Sequence, residues 1–272
     1  MLREAWAWLS TPCSREARRL GYLKEAIAFE SRRRRCGEAW QEHLAHCHAA
    51  VRESLARCGR HGTALVMGSG LALEYPLAEL AARFERVVLA DMVHSGSLRR
   101  LAAGRANVTL VETDLTGIAG RLLAHDGTPG AAELEDWSGQ PPAPLANLGH
   151  VDWVLSANLL SQLPLQPVAW LARCRPAPDE GTLERFGRRL MLRHLDLLAG
   201  FDAERCLIAD AEHTVRDGAG TIVEHTDFAG ALGLDAHAFA SWSWPLAPPG
   251  ELADGWSREH RVVACRWPGA LR

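Results

Sequence analysis

Four short apolar runs, each closing on small or polar residues, constrain this chain more than any other feature. Ala64 to Met67 breaks at Gly68-Ser69-Gly70, Arg86 to Ala90 ends in Asp91, Val108 to Val111 is followed by Asp114, and Val151 to Leu155 by Ser156-Ala157-Asn158. Segments of helical character lie between them, over Pro76 to Phe84, Ser97 to Ala103 and around Ile118 to Ala124. A loop rich in Gly, Pro and Ala then runs from about Asp126 to His150. Strands joined through helices must cross over a sheet face, so the strands are expected to be parallel. Ligands of such sheets sit beyond the carboxyl ends of the strands, where all four polar closings fall. Glycines let the chain turn sharply and come close to a ligand, and an acid ending the next strand can accept hydrogen bonds from ribose hydroxyls. A lone glycine pair would mark an ordinary turn as often as a site; the series of four points to a nucleotide pocket.

The first sixty residues have helical periodicity. Trp40, Leu44, Cys47, Val51, Leu55 and Cys58 recur at steps of three and four, which puts them on one helix face until Gly59 and Gly62 end it. His43, His46, Cys47 and His48 invite a metal reading, but a site needs three or four convergent ligands and Cys47 already belongs to the apolar stripe. A core cysteine with solvent-facing histidines, and no metal, is the expectation. Arg32 to Arg35 are consecutive and so point in different directions on a helix. A solvated face is expected of them, with one or two reaching an anionic substrate as the alternative.

Beyond Leu155, Leu183, Phe186, Leu190, Leu195 and Leu198 place a helix over Thr182 to Ala199. Arg205 to Asp210 makes a fifth strand, and His213 to Val215 with Thr221 to Val223 a small hairpin about Asp217-Gly218. Ala240 to Trp244 and Arg261 to Cys265 supply two final strands, with Trp242 and Trp244 on one face as core packing or as an aromatic wall for a substrate. Residues 1–60 are expected to be a helical extension, and 61–272 one α/β domain.

With 272 residues, 47% hydrophobic and 23% charged, the chain can bury a sizeable core. A formal net charge of −3 gives no global case for nucleic acid or membrane binding. The opening residues lack a basic segment followed by a long apolar core, and no run is suited to a bilayer. Seven cysteines without a CxxC pair fit a reduced, cytoplasmic compartment better than a disulfide framework.

From Thr63 to about Ala211 the chain resembles the class I S-adenosylmethionine-dependent methyltransferases. Leu65-Val-Met-Gly-Ser-Gly70, Val88-Leu-Ala-Asp91, Val111-Glu-Thr-Asp114 and Asp152-Trp-Val-Leu-Ser-Ala-Asn158 are similar to that family's first four motifs. The resemblance implies a Rossmann-like, mostly parallel sheet with helices on both faces and an antiparallel C-terminal edge. It implies that S-adenosylmethionine meets the turn of Gly68, Ser69 and Gly70, with ribose on Asp91, adenine on Met92, and Asp114 and Leu115 at the adenine amino group. Ser156 to Asn158 would lie near the sulfonium and the acceptor. Val66 stands where many members carry an acid and Ala72 where they carry a third glycine. The two prolines and the aromatic that mark many amino-methylating members are absent after Ser156, which favours a small molecule or a protein side chain over DNA as acceptor.

Methyl transfer needs alignment and, for a protonated acceptor, a route for the proton. His94, Asp210, Glu212 and His213 are candidate bases, with His213 preferred because the fifth strand ends on the acceptor side in this architecture. Asn158 either orients the acceptor or caps a helix from Leu159. Gly21 to Cys58 are expected to cover the pocket through Tyr22 or the arginines, or else to form an interdomain or homodimer contact. Two alternatives stand: a cofactor-binding regulator or scaffold without catalysis, and an NAD-dependent oxidoreductase, whose G-x-G-x-x-G turn would need glycine where the chain has Leu73.

Overall fold

The computed structural model describes residues 2–137, 145 and 147–269. Four helices come first: α1 (Leu2–Ser10), α2 (Arg15–Leu20), α3 (Tyr22–Cys36) and α4 (Gln41–Arg57). The alternating part follows as β1 (Thr63–Met67), α5 (Leu77–Arg83), β2 (Arg86–Asp91), α6 (Gly96–Ala103), β3 (Val108–Glu112), α7 (Ala119–Ala124), α8 (Ala131–Asp136) and β4 (Trp153–Ala157). The chain closes with α9 (Leu165–Leu171), α10 (Glu180–Ala199), β5 (Glu204–Arg216), β6 (Ile222–Asp227), α11 (Phe228–Leu232), β7 (Ala238–Ala247) and β8 (Ser257–Arg266).

The strands form one sheet in the order β3-β2-β1-β4-β5-β8-β7, with β6 also paired to β5. Pairs among β1 to β5 on the main path are parallel, whereas β8 runs antiparallel between β5 and β7. The expected doubly wound sheet with its antiparallel C-terminal edge is therefore present. Strand order reverses between β1 and β4, which opens a crevice at their carboxyl ends.

Each central strand is buried on both faces, which is why it reads as an unbroken apolar run. Ala64 and Val66 of β1 face a core shared with Trp40 and with Cys47, Val51 and Leu55 of α4, while Leu65 and Met67 face one shared with Met191, Leu195 and Leu198 of α10. The predicted apolar stripe of α4 thus packs on the sheet itself.

Three expectations change. His43 is fully buried, not solvent-facing: its ring stacks on Trp244 at 4.0 Å and its Nδ1 accepts from Trp242 Nε1 at 3.0 Å. The tryptophans of β7 thereby give a buried imidazole both a surface and a partner. The fifth strand is longer than expected, because β5 continues without a break through His213 to Arg216 and forms the first arm of the β6 hairpin. The loop from Asp126 to His150 contains α8, and its residues 138–144 and 146 lie outside the described residues.

Candidate functional site

The turn after β1 is locked by the acid at the end of β2. Asp91 Oδ2 accepts from the Gly70 N–H and its Oδ1 from the Met92 N–H, each at 2.7 Å. Burial pushes the Asp91 carboxyl up, against these backbone hydrogen bonds. Gly68 has φ +76°, and a Cβ there would lie 2.8 Å from Leu159 Cβ and 3.1 Å from the Ala157 carbonyl, so only glycine fits between the β1 and β4 tips. Ser69 Oγ lies 3.3 Å from Nδ1 of the buried His94, and the Ser69 carbonyl accepts from Tyr75 at 3.1 Å. Ala72 adopts φ 56°, the left-handed region, at the position where the resemblance calls for glycine.

The N-terminal helices cover this turn on the β2 and β3 side. Tyr22 packs with Met92 against Leu20, Ile118 and Leu122 on one flank, and with Met92 against Ala17, Leu23 and Val93 on the other. Burial raises the Tyr22 phenol, and the nearby charges of Asp114 and Asp91 raise it further. Tyr22 therefore stands beside both acids to which ribose and adenine were assigned. Three arginines of α3 are engaged elsewhere: Arg32 and Arg35 pair with Glu251, in the segment between β7 and β8, and Arg34 with Glu30.

A second polar cluster lies at the ends of β4 and β5. Asn158, at φ 46°, is 2% exposed, yet neither its Oδ1 nor its Nδ2 has a hydrogen-bond partner among the described residues. Its side chain caps nothing, since the single 3₁₀ turn Leu160–Gln162 is preceded by Leu159 without a side-chain cap. The capping role is thereby removed, and a strained, buried, unsatisfied amide remains. Three residues on, Ser161 Oγ donates to Asp210 Oδ2 at 2.7 Å. His213 Nε2 lies 3.1 Å from the same Oδ2, and His260 Nδ1 3.1 Å from Oδ1, though not in hydrogen-bond alignment. Burial opposes ionisation of Asp210, but the two imidazoles outweigh it and hold the carboxyl well below the usual carboxylate range. Burial likewise lowers His260.

Between the two clusters sits Glu74, 7% exposed. Burial pushes its carboxyl up to about 7, and the charges of Asp210 and Asp91 add to the shift. One buried acid thus senses both the turn and the β5 cluster.

Of the residues singled out from sequence, Gly68, Ser69, Gly70, Asp91 and Met92 come together at the turn, and Asn158 and His213 at the second cluster. Asp114 is engaged in its own loop: Oδ1 accepts from Thr116 and Oδ2 from the Ala119 N–H that opens α7. Leu115 packs into the core on the α10 face, and Ser156 Oγ pairs with the buried His194 at 2.8 Å. Sequence reasoning missed Glu74 and His260. Glu74 is the lone acid in the apolar stretch Leu71 to Leu77, a signal that was available. His260 lies directly opposite His213 in the β5/β8 register, which no spacing in the sequence reveals.

No protein-family model matches the chain, and no curated protein matches it. Among solved structures it is similar to the 1,6-didemethyltoxoflavin-N1-methyltransferase of Burkholderia thailandensis, crystallised with 1,6-didemethyltoxoflavin and S-adenosylhomocysteine. That likeness is at 14% identity and TM-score 0.42, covering 95% of this chain and 93% of the other. It is also similar to the N-methyltransferase NodS of Bradyrhizobium japonicum in complex with S-adenosylhomocysteine, at 14% identity and TM-score 0.37, covering 83% and 87%. These are similarities in the course of the chain, and the side chains of the site are this protein's own.

Proposed function

We propose that the protein transfers a methyl group from S-adenosylmethionine to a small molecule or a protein side chain. The observation that carries this is the glycine turn held by Asp91 at the strand-order reversal, beside the buried amide of Asn158, whose polar atoms pair with no described protein group. Asn158 stands beside the glycine turn on one side and, through Ser161, the Asp210 cluster on the other. The residues present fit the cofactor. Gly68 and Gly70 leave room for its methionine portion, Asp91 keeps free lone pairs for ribose hydroxyls, and Met92 with Tyr22 offers apolar surface to adenine. When bound, S-adenosylmethionine supplies an already activated methyl group, which the acceptor displaces from sulfur. The protein's own part is to align the acceptor and take its proton. Asn158 orients it, and the cluster of Asp210, His213 and His260 handles the proton, with His213 as the member nearest solvent.

A dinucleotide fits the turn less well. In NAD sites the glycine turn opens directly into a helix whose N-terminus faces the pyrophosphate. Here α5 does not begin until Leu77, so no helix N-terminus follows the turn directly.

Residues 1–60 act, in this proposal, as the cap of the cofactor pocket through Tyr22. Removing them whole is no clean test, because α4 belongs to the sheet's core. Calorimetry of the intact chain with S-adenosylmethionine, S-adenosylhomocysteine and NAD is the better experiment. The first two should bind and NAD should not, and Asp91→Asn should weaken binding about tenfold or more, the worth of a hydrogen bond to a charged group. Binding of NAD alone, or of none of the three, would refute the assignment.

A further inference from the structure

The group formed by Asp210, His213 and His260 holds more than a proton relay requires. A relay needs one imidazole oriented by one carboxylate. Here two imidazoles flank the carboxylate, one on each oxygen, and one ligand atom from each residue lies within 4.8 Å of the others. The two rings stack at 3.7 Å with planes 17° apart, so their nitrogen-bearing edges approach Asp210 side by side.

Backbone geometry creates this arrangement. Along a regular strand, residues three apart point to opposite faces. In the β5/β8 ladder Asp210 pairs with Val262 and Glu212 with Arg261, which makes Ala211 the extra residue of a bulge. The bulge shifts the alternation by one and brings His213 round to the side of Asp210. The same register sets His260 directly opposite His213.

Asp210 is 3% exposed and His260 4%, and among the described residues neither Asp210 Oδ1 nor either nitrogen of His260 has a hydrogen-bond partner. Buried polar atoms in folded proteins nearly always have one. A single cation would satisfy the carboxylate oxygen and the imidazole nitrogen together.

We infer that Asp210, His213 and His260 form a binding site for a divalent transition-metal ion. Two nitrogens and one carboxylate oxygen, with further positions left open, suit iron, manganese, cobalt or zinc, whereas magnesium and calcium prefer oxygen throughout. Ser161 supplies the outer support, donating to the carboxylate as second partners of metal ligands do. His213, 23% exposed, marks the side from which a ligand enters.

This deepens the methyl-transfer proposal and rests on it only for purpose. With the ion in place the imidazoles would be its ligands and no longer proton acceptors; the ion would bind the acceptor's oxygen or nitrogen and lower its pKa, so that water can take the proton. The acceptor's X–H bond breaks with its proton passing to water, a bond forms between X and the methyl carbon, and the C–S bond breaks with its electron pair going to sulfur.

The test uses the full chain, freed of metal by chelation and titrated with Co²⁺ alone and with Mn²⁺ alone. Calorimetry counts sites, and the visible absorption of bound Co²⁺ reports its coordination geometry. One equivalent should bind, about tenfold or more weakly in His213→Gln and in the near-isosteric Asp210→Asn. The exposed control His225→Gln should bind as the unaltered protein does. No binding of either ion, or affinity unchanged in both His213→Gln and Asp210→Asn, would overturn the site. S-adenosylhomocysteine is titrated into the same samples. Its binding without Co²⁺ or Mn²⁺ binding removes the metal and leaves methyl transfer standing, while metal binding without it does the reverse.

Discussion

Asn158 offers a comparison in which ligand binding should fall while stability holds. Its backbone lies at φ 46° and its side chain is 2% exposed, with both polar atoms unpaired among the described residues. A left-handed backbone costs a residue with a Cβ about 1–2 kcal/mol, a strain that glycine escapes. A buried polar group without a partner costs about 1–3 kcal/mol in lost hydration. Asn158→Ala removes the second cost but raises the first, because asparagine tolerates left-handed backbone better than alanine, and it gives up the packing of the amide, so its stability should stay within about 1 kcal/mol of the unaltered protein. Asn158→Gly removes both costs, and should be more stable than Asn158→Ala by about 1 kcal/mol, the reverse of the usual order in regular structure. Urea unfolding measures all three proteins, and equal slopes would show that the midpoints reflect native-state energy. Both variants should bind S-adenosylhomocysteine or an acceptor less well, by about three- to tenfold for one lost hydrogen bond. If Asn158→Ala loses several kcal/mol, the amide has partners that hold the fold together. If neither variant changes any ligand affinity, it does not face the pocket.

Ala72, at φ 56°, is a simpler case: Ala72→Gly should raise stability by about 0.5–1 kcal/mol in the same urea assay, and a loss would mean that the turn is not strained. Glu74 predicts a pH effect. Its carboxyl stands near 7 in the fold against 4.5 unfolded, so between those values the unfolded chain gives up a proton that the folded one keeps. Stability should therefore fall as pH rises through that window, by up to about 3 kcal/mol, and Glu74→Gln should abolish that fall and be the more stable protein at pH 8. An unchanged profile in Glu74→Gln would show that the acid is not held neutral. His94, lowered to about 4 by burial, has the opposite sign: as pH falls from 6.5 toward 4 the unfolded chain gains a proton first, and stability should decline, less so in His94→Gln. Leu20, fully buried against Ile118, Leu122 and Phe186, should cost about 2–5 kcal/mol when changed to Ala, seen as a lower urea midpoint. A cost below 1 kcal/mol would mean that α2 is not docked as described.

The strands were legible because their burial is two-sided. Leu65-Val66-Met67 and Val87-Val88-Leu89 can be nothing but core strands between glycine-rich or polar breaks, and the strand ends then locate the crevice. The turn and Asp91 followed from that logic. What stayed hidden depends on pairing register, which periodicity does not encode. The bulge at Ala211 carries no marker residue, since its extra residue is an alanine like its neighbour Ala209. His43 looked solvent-facing because its helix face was judged within the helix, whereas its burial comes from Trp242 and Trp244, about two hundred residues away. Asn158 was ambiguous for a different reason: asparagine is common both as a helix cap and in left-handed backbone, and only the absence of a capping bond decides between them.

The geometry of β5 explains why the chemistry gathers where it does. Up to Ile208 it is a central strand paired parallel to β4, and Asp210 lies just past that ladder's end; beyond Ala211 it continues into a hairpin with β6 and stays antiparallel to β8. The carboxyl end of a parallel strand points into the crevice, whereas an antiparallel ladder supplies directly opposed side chains. Asp210 comes from the first arrangement and the His213–His260 pair from the second, so neither a purely parallel sheet nor a hairpin would build the cluster. One extra residue joins the two. Without the bulge His213 would turn to the opposite face, and Asp210 would be left with Ser161 and His260 alone.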